Sequence, residues 1–136
     1  MTGVQTCALP ILQQVFLNII NNAYDALREV DRRGRIEIET ENVGDGYVRI
    51  TFRDNGPGVE HPERIFDPFF TTKDVGKGTG LGLSICYGIV REHGGEIMCR
   101  PQRPEVPGAT FCVRLPTVPT QIATALEGQT EGEIAQ

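Results

Sequence analysis

Gly76-Lys77-Gly78-Thr79-Gly80-Leu81-Gly82-Leu83 sets four glycines at a spacing of two directly before an apolar helical pattern that includes Ile85, Ile89 and Val90. Backbone without Cβ atoms can turn its N–H groups inward and approach an anion closely. A helix that begins just after such a turn adds unpaired N–H groups and the positive end of its dipole. The segment is predicted to cradle phosphates, with a flexible glycine-rich loop as the plainer alternative. It is neither G-x-x-x-x-G-K-[ST] nor a Rossmann turn, because no strand pattern immediately precedes it.

Two further groups carry chemistry. Asn18, Asn21 and Asn22 interrupt an otherwise apolar helical stretch, where Asn is a poor interior residue because its amide competes with the backbone. Asn18 and Asn22 are four apart and share one face. Amide oxygens on a rigid helix can ligate Mg²⁺, which keeps waters and shares its shell with substrate phosphates. The bland reading, polar residues at the edge of a core, suits Asn21 better than Asn22. Asp54-Asn55-Gly56-Pro57-Gly58 follows a strand pattern. Asp54 is either a simple turn cap or a fixed acceptor for an exocyclic amine, with Gly56 and Gly58 letting a flat ring slide against the backbone.

These groups need elements to hold them. Leu12, Val15, Phe16, Ile19, Ile20, Ala23 and Leu27 recur at three and four, which predicts a helix from Leu12 to about Arg33, ended by Gly34. Arg35 to Val43 alternates, with Ile36 and Ile38 opposite Glu37, Glu39 and Glu41, and reads as a half-buried strand. Gly44-Asp45-Gly46 is a hairpin turn into Tyr47–Phe52. A loop-rich stretch holds Phe66, Phe69 and Phe70. A second helix is predicted from Leu81 to His93, stopped by Gly94-Gly95, and Glu96–Arg100 and Thr110–Leu115 read as two more strands. The fold class is therefore an α+β two-layer sandwich, with about three helices on one face of a mixed, largely antiparallel sheet.

The chain of 136 residues suits one domain, and its formal charge of −5 offers no basic footprint for nucleic acid. No apolar run approaches the about 20 residues that span a bilayer, and the start has no signal-peptide pattern, so no membrane contact and a cytoplasmic location are expected. Scattered cysteines without C-x-x-C spacing indicate a reducing compartment and no zinc site, with Cys86, Cys99 and Cys112 as buried small hydrophobes. Met1 to Ile11 (MTGVQTCALPI) looks like the translated reading frame of a sequencing-library adapter. The domain is then residues 12–116, followed by a polar tail over 117–136.

Taken in order, Asn22 in NIINNAYDAL, then DNGPGV, FDPFFTTK, GKGTGLGLSI and GATF at Gly108–Phe111 resemble the N, G1, F, G2 and G3 boxes of the sensor histidine kinase catalytic and ATP-binding domain. That domain has the Bergerat-type fold of the gyrase, chaperone, histidine kinase and mismatch-repair ATPase superfamily. The FFTTKDVGKGTGLGLSICYGIV run is most similar to kinases of the nitrogen- or dicarboxylate-sensing type. The resemblance implies ATP and Mg²⁺ as cofactors. It gives Asn22 the role of Mg²⁺ ligand with Asn18 as a nearby polar helper, Asp54 that of adenine-amine acceptor, and Gly56 and Gly58 a place under the ring. Gly78, Gly80 and Gly82, with Thr79 and Leu81 between them, match the phosphate cradle. Thr110 matches the position that supports Asp54 and the adenine. Phe66, Phe69 and Phe70 are similar to lid anchors, with Phe69 counted among the nucleotide contacts, although by pattern alone they could be core. Lys73 and Lys77 are candidates to meet the triphosphate as point charges, Lys77 the more so for lying inside the glycine run.

Departures from the pattern are as informative. ATP-hydrolysing relatives keep a Glu one turn before the magnesium Asn as the base that activates water; here that position is Asn18. An amide cannot serve, which implies phosphoryl transfer to a histidine rather than hydrolysis. Of the two histidines, His93 reads as a helix cap and His61 as a polar loop residue. The acceptor hairpin and the family's first strand, both upstream, are missing, which leaves a sheet edge unpaired. Asp25 and Ala26 stand where many kinases carry a basic residue and then an aromatic. The implied partners are the protein's own dimerisation and phosphoacceptor hairpin, a second copy in a full-length homodimer, and a response regulator receiver domain. An anti-sigma-like serine kinase that works by partner capture and a gyrase- or chaperone-type ATPase are the alternatives. The FFTTK and GTGLGLSI run disfavours the first and Asn18 the second.

Overall fold

A helical stripe that repeats at three and four residues needs an apolar surface to lie on, and here the strands supply it. The structure of the protein, a computed structural model, describes residues 2–70, 82–101 and 103–117. The elements are α1 (Thr2–Leu27), β1 (Ile36–Gly44), β2 (Tyr47–Asp54), α2 (Gly82–Glu92), β3 (Glu96–Cys99) and β4 (Thr110–Pro116). The strands form one sheet in the order β1-β2-β4-β3. Each of the three pairings is antiparallel, so the parallel component of a mixed sheet does not occur among the described strands. Both described helices pack on one face, two where about three were expected, and the two-layer α+β sandwich forms.

Alternation decides which strand residues meet the helices. Phe52, Ile97, Phe111, Val113 and Leu115 join Val15, Ile19, Cys86 and Val90 in the core. Each such side chain, fully buried, stabilises the fold by about 1.5–3 kcal/mol relative to exposure. The opposite sheet face is polar: Arg53 meets Glu39 at 2.9 Å, Arg114 meets Glu96 at 3.8 Å, and Arg49 pairs with Glu41. Exposed pairs like these contribute about 0–1 kcal/mol each, so they keep that face wet more than they stabilise it. Along β1, an edge strand, Glu37, Glu39 and Glu41 also oppose pairing with another sheet.

Two helix boundaries differ in how well they were anticipated. The α1 stripe is as expected, with Val15, Ile19 and Ala23 buried, but the helix ends at Leu27 rather than near Arg33. After Leu27 the backbone tightens: Glu29 N–H donates to Ala26 O at 3.1 Å and Val30 N–H to Leu27 O at 3.4 Å, three-residue spacings that close turns instead of extending the helix. α1 also starts well before Leu12 and runs through Pro10. α2 stops as expected. Gly94 takes φ +78°, Gly94 N–H donates to Arg91 O at 3.0 Å, and Gly95 N–H reaches back to Val90 O at 2.9 Å, the double bond of a Schellman cap. Within α2 the inward ridge is Leu83, Cys86 and Val90, at three and then four. Ile85, expected on the apolar face, is 50% exposed because Cys86 takes the inward direction beside it.

Cys86 and Cys112 are buried as expected, whereas Cys99 is half-buried. Burial first, then the negative charge of Asp54, push the Cys99 thiol from 9.0 up to about 12. In the unfolded chain this thiol releases its proton above about pH 9, while in the folded chain it holds it to about pH 12. Stability from this group is therefore full below pH 9 and is lost as pH rises toward 12. Thermal melts across that window should show a falling midpoint, and Cys99→Ala should flatten the fall. An equal slope in both proteins contradicts this assignment.

Candidate functional site

Asp54 is the last residue of β2 and lies beside the entry to β4, where its N–H donates to Ala109 O at 3.0 Å. Its carboxylate is pinned from two directions. Oδ1 accepts the Gly56 N–H at 2.9 Å and the Ala109 N–H at 3.1 Å. Both donors are spent on one oxygen, and among the described residues nothing bonds Oδ2. A half-buried carboxylate held in this way presents one acceptor in a fixed direction, which is what recognition of an amine hydrogen requires.

Close backbone approach makes the pin possible. Gly108 adopts φ +101°, and a Cβ there would stand 1.7 Å from Asp54 O and 2.9 Å from Asn55 Cα. A side chain at this position would push β4 off the end of β2. Gly56 is buried against α1, where a Cβ would meet Ala26 Cβ at 3.5 Å and Asp54 Oδ1 at 3.1 Å. The small Ala26 lets the turn sit that close to the helix. Asn22 lies about one helical turn before Ala26, about 6 Å along the axis. α1 thus brings the candidate metal ligand to the flank of the Asp54 turn.

The turn is also latched to the loop between α1 and β1. Asn55 Oδ1 accepts the Arg35 N–H at 2.7 Å and Asn55 Nδ2 donates to Arg33 O at 2.9 Å. Arg32 Nε donates to Asn55 O at 2.8 Å, and its Nη2 donates to Gly56 O at 3.1 Å.

The other expected residues fall into distinct places. Asn22 is half-buried, and its amide has no hydrogen-bond partner among the described residues. Asn18 is committed at both ends: Oδ1 accepts from Gln14 Nε2 at 2.9 Å, and Nδ2 donates to Cys86 Sγ at 3.5 Å. It ties α1 to α2. Thr110 is half-buried opposite Arg53 in the β2–β4 register, and the bond to the Asp54 carboxylate comes from its neighbour Ala109. Gly58 takes φ +88° two residues after Gly56, and Gly82 opens α2. Phe66 packs on the core, edge-on to Phe111 at 6.4 Å, and Phe70 lies under the Arg64 guanidinium at 4.6 Å. Phe69 is instead 73% exposed with φ +67°. His93 Nδ1 lies 2.7 Å from Ile89 O in the last turn of α2, the geometry of a cap. Lys73, Lys77, Gly78, Thr79, Gly80 and Leu81 lie outside the described residues.

Among the described residues no group of three or more His, Cys, Asp or Glu side chains could hold a metal, so the one candidate metal ligand on the described chain is an amide. Two contributors, Ala109 and Arg32, escaped the sequence reading, and a third, Gly108, was visible only as part of a motif. Ala109 acts through its backbone N–H, which no residue type advertises. Gly108 was visible as a glycine just ahead of a strand, and its position in GATF was the available signal. Arg32 gave none, because its partners are more than twenty residues away. No described helix is long and apolar enough to cross a membrane.

Comparison with known proteins shows which family the chain resembles over most of its length. The two-component sensor PprA of Pseudomonas aeruginosa is 44% identical over 110 residues, which cover 77% of this chain and 12% of that protein. The chain thus spans about an eighth of that curated relative's length. Among solved structures, the mycobacterial sensor histidine kinase MprB superposes with a TM-score of 0.69 at 27% identity, covering 81% of this chain and 72% of that one. Full-length ShkA in complex with AMPPNP superposes with a TM-score of 0.65 at 30% identity, covering 78% of this chain and 21% of that one. Residues 8–119 match the family described as histidine kinase-, DNA gyrase B- and HSP90-like ATPase, and the chain belongs to that family, on the side of its sensor histidine kinases.

Proposed function

We propose that this chain is the ATP-binding catalytic part of a two-component sensor kinase, which transfers the γ-phosphoryl group of ATP to a histidine on an upstream dimerisation hairpin. The observation that carries the reading is the Asp54 carboxylate, with Oδ1 spent on Gly56 and Ala109 and Oδ2 left to accept the adenine amine. The crystal structure of full-length ShkA in complex with AMPPNP lends support, since AMPPNP is a nucleotide analogue of ATP. Gly56 and Gly58 leave room for the ring, and Thr110 borders it from the adjacent strand. Asn22 offers an unengaged amide to Mg²⁺ about one turn before Ala26, which borders the Gly56 turn. Gly78, Gly80 and Gly82, with Thr79, Leu81, Lys73, Lys77 and Phe69, complete the phosphate and lid side. Bound Mg·ATP would supply the activated phosphoryl group. The chain's own work is to bind, orient and neutralise.

Asn18 supports transfer over hydrolysis. Its amide is bonded to Gln14 and Cys86 and has no basic atom to take a proton from water. The full-length protein would act as a homodimer and pass the phosphoryl group to an Asp on a response regulator. The genuine domain is taken as residues 12–116. Met1–Ile11 would be adapter-derived and 117–136 a polar tail.

Calorimetric titration with ATP, with and without Mg²⁺, tests the reading. Saturable binding that tightens with Mg²⁺ is expected, with no acid-labile phosphate on the chain. Asn22→Ala should keep the melting midpoint but lose most of the Mg²⁺ enhancement. Nucleotide binding in that variant that still tightens fully with Mg²⁺ would remove Asn22 from the metal site.

A further inference from the structure

One planar peptide links a distant arginine to the candidate base acceptor. The peptide between Asn55 and Gly56 points its carbonyl and its N–H in opposite directions. Its carbonyl, Asn55 O, accepts Arg32 Nε at 2.8 Å, and its N–H, that of Gly56, donates to Asp54 Oδ1 at 2.9 Å. The Arg32 fork also takes the next carbonyl, Gly56 O, at 3.1 Å. A guanidinium can serve two consecutive carbonyls at once because its donors are fixed in one plane; a lysine ammonium lacks that geometry. We propose that Arg32 is a positioning residue for purine selection, holding the Asn55–Gly56 peptide so that its N–H aims the Asp54 carboxylate at the 6-position of the base. The inference rests on Asp54 as adenine acceptor.

The mechanism is indirect and selective. Without the fork, the Asn55–Gly56 peptide is free to rotate, and Asp54 Oδ1 keeps only the Ala109 donor. The carboxylate then swings, and Oδ2 no longer meets the amine at a fixed angle. The Asn55 side chain keeps its own bonds to the Arg33 carbonyl and Arg35 N–H, so the loop stays attached and the fold is retained. What changes is discrimination. ATP presents an amine at the 6-position and ITP an oxo group, which cannot donate to a carboxylate.

Calorimetric titration of the whole chain with Mg·ATP and Mg·ITP, on wild type, Arg32→Lys and Arg32→Ala, reads this directly. Wild type should prefer ATP. The ITP-to-ATP ratio of dissociation constants should fall about fivefold in each variant, roughly the worth of one hydrogen bond, through weaker ATP binding with ITP nearly unchanged. A purely structural Arg32 would weaken both nucleotides alike or lower only the melting midpoint. A ratio unchanged in Arg32→Lys and Arg32→Ala, while wild type still discriminates, overturns the inference. Wild type that binds both nucleotides equally overturns instead the Asp54 reading beneath it.

Discussion

Gly108→Ala is expected to cost the fold about 3 kcal/mol or more and to abolish nucleotide binding. A Cβ at this position would stand 1.7 Å from Asp54 O and 2.6 Å from Asp54 C, both backbone atoms that no rotamer change can move. Overpacking of a rigid site costs about 1–3 kcal/mol or more. The φ of +101° adds about 1–3 kcal/mol for a residue that carries a Cβ. For a domain of this size 1 kcal/mol shifts the midpoint by about 4–8 °C, so a fall of at least about 12 °C should appear in a circular-dichroism melt. Gly44→Ala is the control. Gly44 has φ +82° with nothing within 4 Å of its Cβ position, so it should show the backbone cost alone and leave binding intact. Equal melting midpoints for Gly108→Ala and Gly44→Ala would mean that β4 does not approach Asp54 as closely as described.

Asp54→Asn has the largest expected effect on binding at little expense to the fold. The amide oxygen can still accept the Gly56 and Ala109 N–H groups, which keeps the turn in place. The other end of the side chain becomes an NH₂ donor facing the adenine amine, also a donor. A hydrogen bond to a charged group contributes about 1.5–3 kcal/mol, so ATP affinity should fall about 10- to 100-fold. The melting midpoint should move by only a few degrees. Asp54→Ala makes the complementary case, since it strips the acceptor from both backbone donors and should lower stability and binding together.

Much of this arrangement was legible from residue order because alternation and breakers act locally. Ile36 and Ile38 against Glu37, Glu39 and Glu41 marked β1 as a strand, but not a half-buried one, since at the sheet edge Ile38 is 52% exposed. Gly94-Gly95 marked the end of α2, where the Schellman bonds form. Asp54 was legible as a fixed carboxylate because it ends a strand just ahead of Gly56 and Gly58, although the residues alone left a simple turn cap equally open, and the Gly56 bond is one that such a cap makes. The features that escaped depend on atoms or partners that a sequence window does not contain. The Ala109 donor is a backbone N–H, common to nearly every residue, and only the close pass allowed by Gly108 makes it matter. The early end of α1 reflects tertiary demand: Arg32 and Arg33 are drawn out of a helical pattern to bind the Asn55 turn. Ile85 was placed inward because period alone cannot separate it from Cys86, whose bonds to Asn18 and the Val15 carbonyl fix the rotation of α2.

The anchored carboxylate as the reader of the adenine amine is most directly tested by titrating Mg·ATP into wild type and Asp54→Asn side by side, with melts confirming that both are folded. Saturable binding by wild type, and a loss of tenfold or more in the variant at nearly constant midpoint, is the predicted outcome. Equal affinity in two folded proteins would contradict it.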